Sequence, residues 1–182
     1  MARNTVIRSL HDVGLAAWFG GTLANAVALN TAVSEPQSAH EKGQVANVGW
    51  DRWTPVNAAA IGIHIIGASG LLLANRDRVA KQQGVGTMTI VKAVLTGAAL
   101  GVTAYSRFLG RKVSARTDVP VASATQPVQE TPHDVAAAQR QLQVLQWAVP
   151  ALTGVLVVLG SLAGEQQRPS EVGRGLRRRV AS

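Results

Sequence analysis

The chain has 182 residues, no cysteine and a formal charge of +8. The length suits one domain, and the lack of cysteine excludes disulfides, thiolate catalysis and cysteine-based metal centres. Hydrophobic residues make up an ordinary 47% of the sequence, but they are concentrated in four blocks. Each block is about 20 residues long, the length of a helix that spans a bilayer. Basic residues gather at cytoplasmic membrane edges, so the charge predicts membrane lipid as a partner and does not indicate nucleic acid.

The first apolar block covers residues 13–33 and follows Arg3 and Arg8. A secretory signal peptide is the competing interpretation, because the small residues at 24–26 are typical of a cleavage site. The apolar run continues beyond those residues and is longer than a signal peptide needs. The sequence therefore favours a first membrane span.

Three further apolar blocks predict three further spans, at residues 55–74, 86–108 and 142–163. Trp50 and Trp53 come just before the second span, where amphipathic rings favour the membrane interface. Pro150 lies inside the last span and should kink it, because proline removes a helix hydrogen bond.

The segments between the spans differ in character. Residues 34–54 predict a loop of medium length, whereas residues 111–133 are rich in Pro, Thr, Ser and Gln and predict a flexible outer loop,. Residues 134–146 regain a helical pattern and should extend the fourth helix outward. Residues 165–182 contain three consecutive arginines and predict a basic, disordered cytoplasmic tail after the transmembrane domain of residues 1–164,.

Lysine and arginine positions set the expected orientation. The short loop between the second and third spans contains Arg76, Arg78 and Lys81, and short basic loops stay in the cytoplasm,. This places both termini on the cytoplasmic side, although Arg107 and Arg111 then fall on the outer side. The predicted fold is all-α: a polytopic protein of the bacterial plasma membrane, with four transmembrane helices in an antiparallel bundle.

Small residues at steps of four predict the faces through which the helices pack, because small side chains let helices approach closely in lipid. These are Gly21 in the first span, Gly97 and Gly101 in the third, and Gly160 and Gly164 in the fourth. Packing inside one bundle is the favoured interpretation, and a dedicated dimer motif is the alternative.

His64 lies near the middle of the second span and shares a helix face with Asn57. Polar groups at membrane depth are candidates for function because burying them is costly. His64 is therefore a candidate metal or haem ligand, or a proton-relay group. The favoured alternative is a hydrogen bond between helices that fixes their packing.

Three other polar residues lie within or at the edge of the spans. Lys92, near the start of the third span, is expected to form an ion pair with Asp12 at the edge of the first, because intramembrane charges usually pair. Asn25 lies further along the first span. A lipid-acting site built from these three residues is a weaker hypothesis, because Asn25 lies well above the other two.

His11 is the second candidate ligand for a metal or haem. It lies at the inner edge of the first span, so helix geometry places it about 14 Å from the level of His64. The two histidines are therefore predicted to lie too far apart to share one ligand. The sequence also contains no His-Glu-x-x-His motif, no Walker loop and no nucleophile elbow,.

The stretch LHDVGLAAWFGG, residues 10–21, places a histidine at the start of an apolar helix and follows it with Trp-x-Gly-Gly. It resembles the opening helix of copper-resistance D-type membrane proteins and of related small four-helix families of unknown function. The resemblance covers about a dozen residues. It implies a polytopic protein linked to metal import or haem handling, with His11 as a site residue. Met1 and Met88 are the only methionines, so the chain lacks the Met-rich segment that suits soft copper ions,.

Three functional hypotheses follow. The first is a non-enzymatic accessory or structural subunit that packs against other membrane proteins, which the small-residue faces and the missing catalytic motifs favour. The second is a protein that handles a small ligand, a metal or haem through His64 and His11. The third is a membrane-embedded enzyme that acts on lipid.

Overall fold

The computed structural model describes residues 4–82, 84–116 and 119–165. Its helices are α1 (Thr5–Ala24), α2 (Asn30–Ala32), α3 (Ala39–Ala74), α4 (Arg76–Lys81), α5 (Val85–Ser114) and α6 (His133–Glu165). A π-helical turn, Asn25–Leu29, joins α1 to α2, and strands β1 (Val121–Ser123) and β2 (Gln126–Pro127) pair as an antiparallel hairpin. The predicted basic tail lies almost wholly outside the described residues.

Four helical segments are long and apolar enough to cross a membrane: Thr5–Ala32, α3, α5 and α6. This confirms the predicted mostly helical fold and the four apolar helices. Residues 134–146 do extend the fourth helix, because α6 begins at His133.

The helices pack in the order α3, α1, α6, α5, with α1 between α3 and α6. The buried side chains at the centre include Leu15 and Trp18 of α1, Val149 and Leu156 of α6, and Ala60 of α3. The outer two helices, α3 and α5, make little direct contact with each other. Near the hairpin of β1 and β2, side chains bridge these two helices: the hydroxyl of Ser114 donates to the side-chain oxygen of Asn47 at 2.8 Å, and Arg107 lies 3.8 Å from Asp51. A gap between α3 and α5 therefore remains, closed in part by these contacts.

The second long helix begins earlier than predicted. Residues 34–54 were expected to form a loop, but α3 starts at Ala39, after Ser38 accepts a hydrogen bond from the backbone N–H of Glu41. A serine cap followed by an acidic first turn is a strong helix start. With 36 residues, α3 is about 54 Å long, well beyond the roughly 30 Å of a bilayer core,. The polar composition of its first turns reflects this extension and not a loop.

The described residues of the segment predicted as a flexible loop, 111–116 and 119–133, contain regular secondary structure. α5 continues to Ser114, and the β1–β2 hairpin follows. Thr131 stabilises the hairpin, because its hydroxyl donates to the carbonyl of Pro120 at 2.8 Å and accepts from the N–H of Val128 at 2.9 Å. The buried side chain of Gln139 donates to the carbonyl of Ser123. Ser and Thr in this segment therefore satisfy the backbone, where composition alone suggested flexibility.

The two ends of the bundle differ. The hairpin end holds β1, β2 and the first turns of α3 and α6, and the α4 end holds α4 and the first turns of α1 and α5. These two names are used below.

Candidate functional site

Helices α1 and α3 cross at two glycines. A Cβ atom at Gly14 would overlap the backbone of His64 and Ala60, and one at Gly67 would overlap the backbone of His11. Only glycine allows so close an approach of two backbones. The crossing brings α1 and α3 together near the α4 end and fixes the residues that flank it.

The crossing places His11 and His64 side by side, with ring centroids 4.6 Å apart. The predicted separation of about 14 Å, which came from helix rise alone, is therefore wrong. The first helix begins at Thr5 and not near residue 13, so His11 lies in its second turn and faces Gly67, one turn from His64. Both side chains are buried, and His64 is 2% exposed.

Each imidazole uses its Nδ1 atom within the protein. His64 Nδ1–H donates to the backbone carbonyl of His11 at 3.1 Å, because a carbonyl only accepts,. His11 Nδ1 lies 2.7 Å from the carboxylate of Asp12. These bonds leave the two Nε2 atoms as the free ring nitrogens. Trp18, which is fully buried, packs near His64 with ring centroids 6.2 Å apart.

The histidine pair does not make a complete metal or haem site. Zinc sites use at least three protein ligands, and no group of three or more His, Cys, Asp or Glu that could hold a metal occurs within the described ranges,. Bis-histidine ligation would need the rings of His11 and His64 on opposite faces of a porphyrin, and centroids 4.6 Å apart leave no room for one. The geometry matches the alternative interpretation, a hydrogen bond that fixes helix packing.

Asp12 and Lys92 lie close enough to interact electrostatically. They are not among the ion pairs within 4.0 Å that the structure gives for the described part of the chain; the Asp12 carboxylate contacts His11 instead. Asn25 lies far from both, at the start of the π-helical turn, so the three residues form no common site.

Asn25 is buried, and its Nδ2 atom has no hydrogen-bond partner. π-helical turns insert one residue into an α-helix and are frequent at functional sites. After this turn, Asn30 is buried and donates to Gln146 of α6 at 2.7 Å. The turn therefore marks the point at which polar groups enter the interface between the first and fourth spans.

The predicted glycine faces divide into two groups. A Cβ atom at Gly21 would overlap the ring of Trp53, so Gly21 lies at a helix contact. A Cβ atom would meet nothing within 4 Å at the other four positions, Gly97, Gly101, Gly160 and Gly164. These four glycines are therefore not packing positions inside the bundle, and Gly14 and Gly67 take that role.

A cavity of about 340 Å³ lies between α3 and α5 in the hairpin half of the bundle, where side chains and not close backbone contacts connect the two helices. α3 contributes one wall and α5 the other. The first span and α6 form the back, and the loop of the hairpin contributes Ala124 and Thr125. This volume lies at the lower end of the range of about 300–1,000 Å³ that is typical of small-molecule pockets.

Six residues that line this cavity have a buried polar side-chain atom without a hydrogen-bond partner: Asn30, Trp53, Asn57, Thr103, Ser106 and Arg107. Only three other residues in the described ranges have such an atom. Helical threonines usually bond their own backbone, as Thr22 and Thr54 do, but the hydroxyl of Thr103 does not. Unpaired buried polar atoms are costly, so their concentration at one place calls for an explanation.

The cavity changes in character along the helix axes. Ile61, Leu100 and Val149 line it near the middle of the bundle, whereas Asn47 and Arg107 line it toward the hairpin end. The one charged residue of the lining, Arg107, lies toward the hairpin end, but apolar side chains such as Val113, Leu142 and Leu145 line that end as well. An apolar lining with a charged group toward one end is the arrangement of a site for an amphipathic molecule.

Of these six residues, only Asn57 is predicted from the sequence as a polar group at membrane depth; Trp53 and Arg107 are predicted as residues of the membrane edge. A signal for three of the others was present, because Thr103, Ser106 and Arg107 lie at positions i, i+3 and i+4 and form one polar helix face,. A basic residue at the membrane edge already explains Arg107, and this explanation hides the face that it shares with Thr103 and Ser106.

Comparison with known proteins gives no relative: no protein-family model matches the chain, and no curated protein or solved structure is significantly similar to it.

Proposed function

We propose that this chain is a multi-pass protein of the bacterial plasma membrane with α4 and both termini in the cytoplasm. Four apolar helices support insertion. Burial lowers the pKa of Arg78 in α4, and the charge of Arg8 in α1 lowers it further, so basic residues of two elements lie close together at the α4 end. Such clustering is typical of a cytoplasmic face.

Within this setting the function we propose is the binding of an amphipathic ligand of the lipid class in the cavity between α3 and α5. The observation that carries the proposal is the concentration of unpaired buried polar atoms around a largely apolar cavity at the gap between these two helices. A ligand with a polar head and an apolar chain fills the apolar part. Its head supplies the missing hydrogen bonds once the side chains, whose unpaired atoms have almost no accessible surface, rotate toward it,. The gap between α3 and α5, on the membrane side of the Ser114–Asn47 hydrogen bond, gives the ligand access from the bilayer.

Tryptophan fluorescence tests the proposal, because Trp50 and Trp53 both line the cavity. The purified protein in phosphatidylcholine nanodiscs is titrated with single-chain amphiphiles that have a bromine atom on the chain. We expect saturable quenching in the native protein. Gly110→Phe places a ring in the cavity, where a Cβ atom meets nothing within 4 Å, and should weaken binding by about tenfold or more,.

Gly62→Phe is the matched control. It makes the same change on α3 at a position where a Cβ atom also meets nothing, and Gly62 does not line the cavity. It should bind like the native protein. Quenching that does not saturate, or that is the same in both variants, would show that the cavity does not bind amphiphiles.

A second function, an accessory subunit, has separate support. Gly97 and Gly101 on α5, and Gly160 and Gly164 on α6, leave space for a neighbouring helix. Small-residue faces of this kind are typical of helix association in lipid. Extraction in mild detergent should then recover a stoichiometric partner, and Gly101→Leu should remove it. A native chain that elutes alone would count against this role.

A further inference from the structure

The unpaired atoms around the cavity include several hydrogen-bond donors. The Nε1–H of Trp53 and the Nε–H of Arg107 only donate, and the hydroxyls of Thr103 and Ser106 can donate,. All four belong to residues that line the same cavity. These atoms have almost no accessible surface, so their side chains must rotate toward a bound group, and a group that satisfies all four must present several acceptor oxygens,.

Arg107 adds a positive charge to this set. Its nearest carboxylate is that of Asp51, and the distance of 3.8 Å from Nη2 to Oδ1 is too long for a hydrogen bond,. The side chain of Arg107 is 32% exposed and that of Asp51 is 69% exposed, so the acid lies mostly outside the cavity. The guanidinium therefore has an incomplete partner in a mainly apolar environment, which favours an additional anion.

We infer that the cavity selects an acidic amphiphile, with its carboxylate or phosphate bound by Arg107, Trp53, Ser106 and Thr103. This inference rests on the proposed function and specifies the ligand's head. An arginine beside hydroxyl and indole donors binds an oxyanion through several charge-assisted hydrogen bonds. Asn30 and Asn57 each leave an unpaired amide oxygen, which a head-group hydroxyl or a trapped water satisfies,.

The apolar part of the ligand occupies the deeper end of the cavity. Ile61, Leu100 and Val149 line that end, nearer the middle of the bundle. The cavity volume of about 340 Å³ suits one alkyl chain better than two,. The ligand class is therefore a single-chain acid or one chain of a larger acidic lipid.

The test compares four probes on the protein in phosphatidylcholine nanodiscs, by quenching or shift of tryptophan fluorescence. Dodecanoate and dodecyl phosphate carry the two acidic heads, dodecanol has the same chain without charge, and inorganic phosphate has no chain. We expect both acids to bind at least about tenfold more tightly than dodecanol, and inorganic phosphate to bind weakly. The stronger of the two acids identifies the head group. Tight binding of inorganic phosphate would instead identify a site for the free ion and would overturn the proposed ligand class.

Arg107→Gln should remove the preference for acids, because it weakens the binding of both acids far more than that of dodecanol. Arg111→Gln is the matched control, because Arg111 lies one turn further on α5, is exposed and does not line the cavity. Equal affinity of the native protein for dodecanol and the acids, or an unchanged preference in Arg107→Gln, would overturn the inference while leaving the cavity as a binding site. If Gly110→Phe instead binds amphiphiles as tightly as the native protein does, the proposed function itself is contradicted.

Discussion

The two halves of the α1–α3 pair show opposite ways of accommodating polar groups between helices. Near the α4 end, Gly14 and Gly67 bring the backbones into contact, and His64 bonds the carbonyl of His11. Toward the hairpin end, the contacts at Gly21 are with the ring of Trp53 and no longer with backbone atoms. The helices diverge from their crossing, and the cavity occupies the wider half.

This difference separates a structural site from a ligand site. The histidine pair is buried, its Nδ1 atoms are satisfied inside the protein, and the described residues add no third ligand. Six residues that line the cavity have a buried polar atom without a partner, whereas beside the histidine pair only Trp18 has one, at Nε1. A concentration of buried groups without partners therefore indicates a ligand site here, whereas burial alone does not.

The greatest loss of stability is expected from a change in the tight half of the α1–α3 pair, where Gly14 and Gly67 bring the two backbones into contact. In Gly67→Leu the new side chain overlaps the backbone of His11, and two helix backbones cannot move apart without losing their shared interface,. We expect a loss of about 3 kcal/mol or more in the free energy of unfolding. Denaturation in mixed micelles measures it, together with the yield of folded protein.

Gly62→Leu tests whether this loss comes from the crossing. It makes the same substitution in the same helix, where a Cβ atom meets nothing within 4 Å. It should change the free energy of unfolding by less than about 0.5 kcal/mol. Similar losses in both variants would mean that the crossing does not hold the tight half together.

The tight half also shows what the sequence could and could not predict. The four spans follow from apolar blocks, and the structure has them. The predicted packing face of α1 followed steps of four residues, which drift by about 40° per step on a helix of 3.6 residues per turn. The observed buried face includes His11, Gly14, Trp18 and Asn25, at steps of three, four and seven. That face could have been found from the heptad pattern.

The wide half of the α1–α3 pair, toward the hairpin end, borders the cavity and was harder to predict. The walls of the cavity, α3 and α5, are consecutive long helices, yet they are the two outer helices of the packing order, which leaves a gap between them. No local pattern gives that order. The hairpin that contributes Thr125 to the cavity was also missed, because it depends on hydrogen bonds from Thr131 and Gln139 that composition does not indicate.

A smaller effect is expected when the histidine contact is removed. His64→Ala deletes the hydrogen bond to His11 and leaves a gap beside Trp18. We expect a loss of about 2 kcal/mol, the sum of one hydrogen bond between helices and a small cavity. His40→Ala, at an exposed position, is the control and should have almost no effect. A folded His64→Ala variant with native affinity for amphiphiles would show that the histidine contact and ligand binding in the cavity are independent of each other.

The hydrogen bond between Asn30 and Gln146 joins the first span to α6 at the border of the wide half. Asn30→Ala should cost about 1 kcal/mol, within the range measured for hydrogen bonds between membrane helices. A double-mutant cycle with Gln146→Ala isolates the pair, and the two changes should not add. Additive losses would show that the bond contributes nothing and that Asn30 matters only to the cavity.

Substitution of Asp51 should change stability least and ligand affinity selectively, and so it distinguishes a ligand site from a structural ion pair. Asp51 is mostly exposed and lies 3.8 Å from Arg107, so Asp51→Asn should change the free energy of unfolding by less than about 0.5 kcal/mol,. The same variant removes the only carboxylate within 4.0 Å of Arg107 in the described residues, and so should tighten the binding of dodecanoate severalfold without affecting dodecanol,. A change in ligand affinity without a change in stability is what a ligand site predicts. If Asp51→Asn destabilises the protein and leaves both affinities unchanged, Arg107 belongs to a structural ion pair. The polar groups of the wide half would then hold the helices together, as the histidine contact does in the tight half.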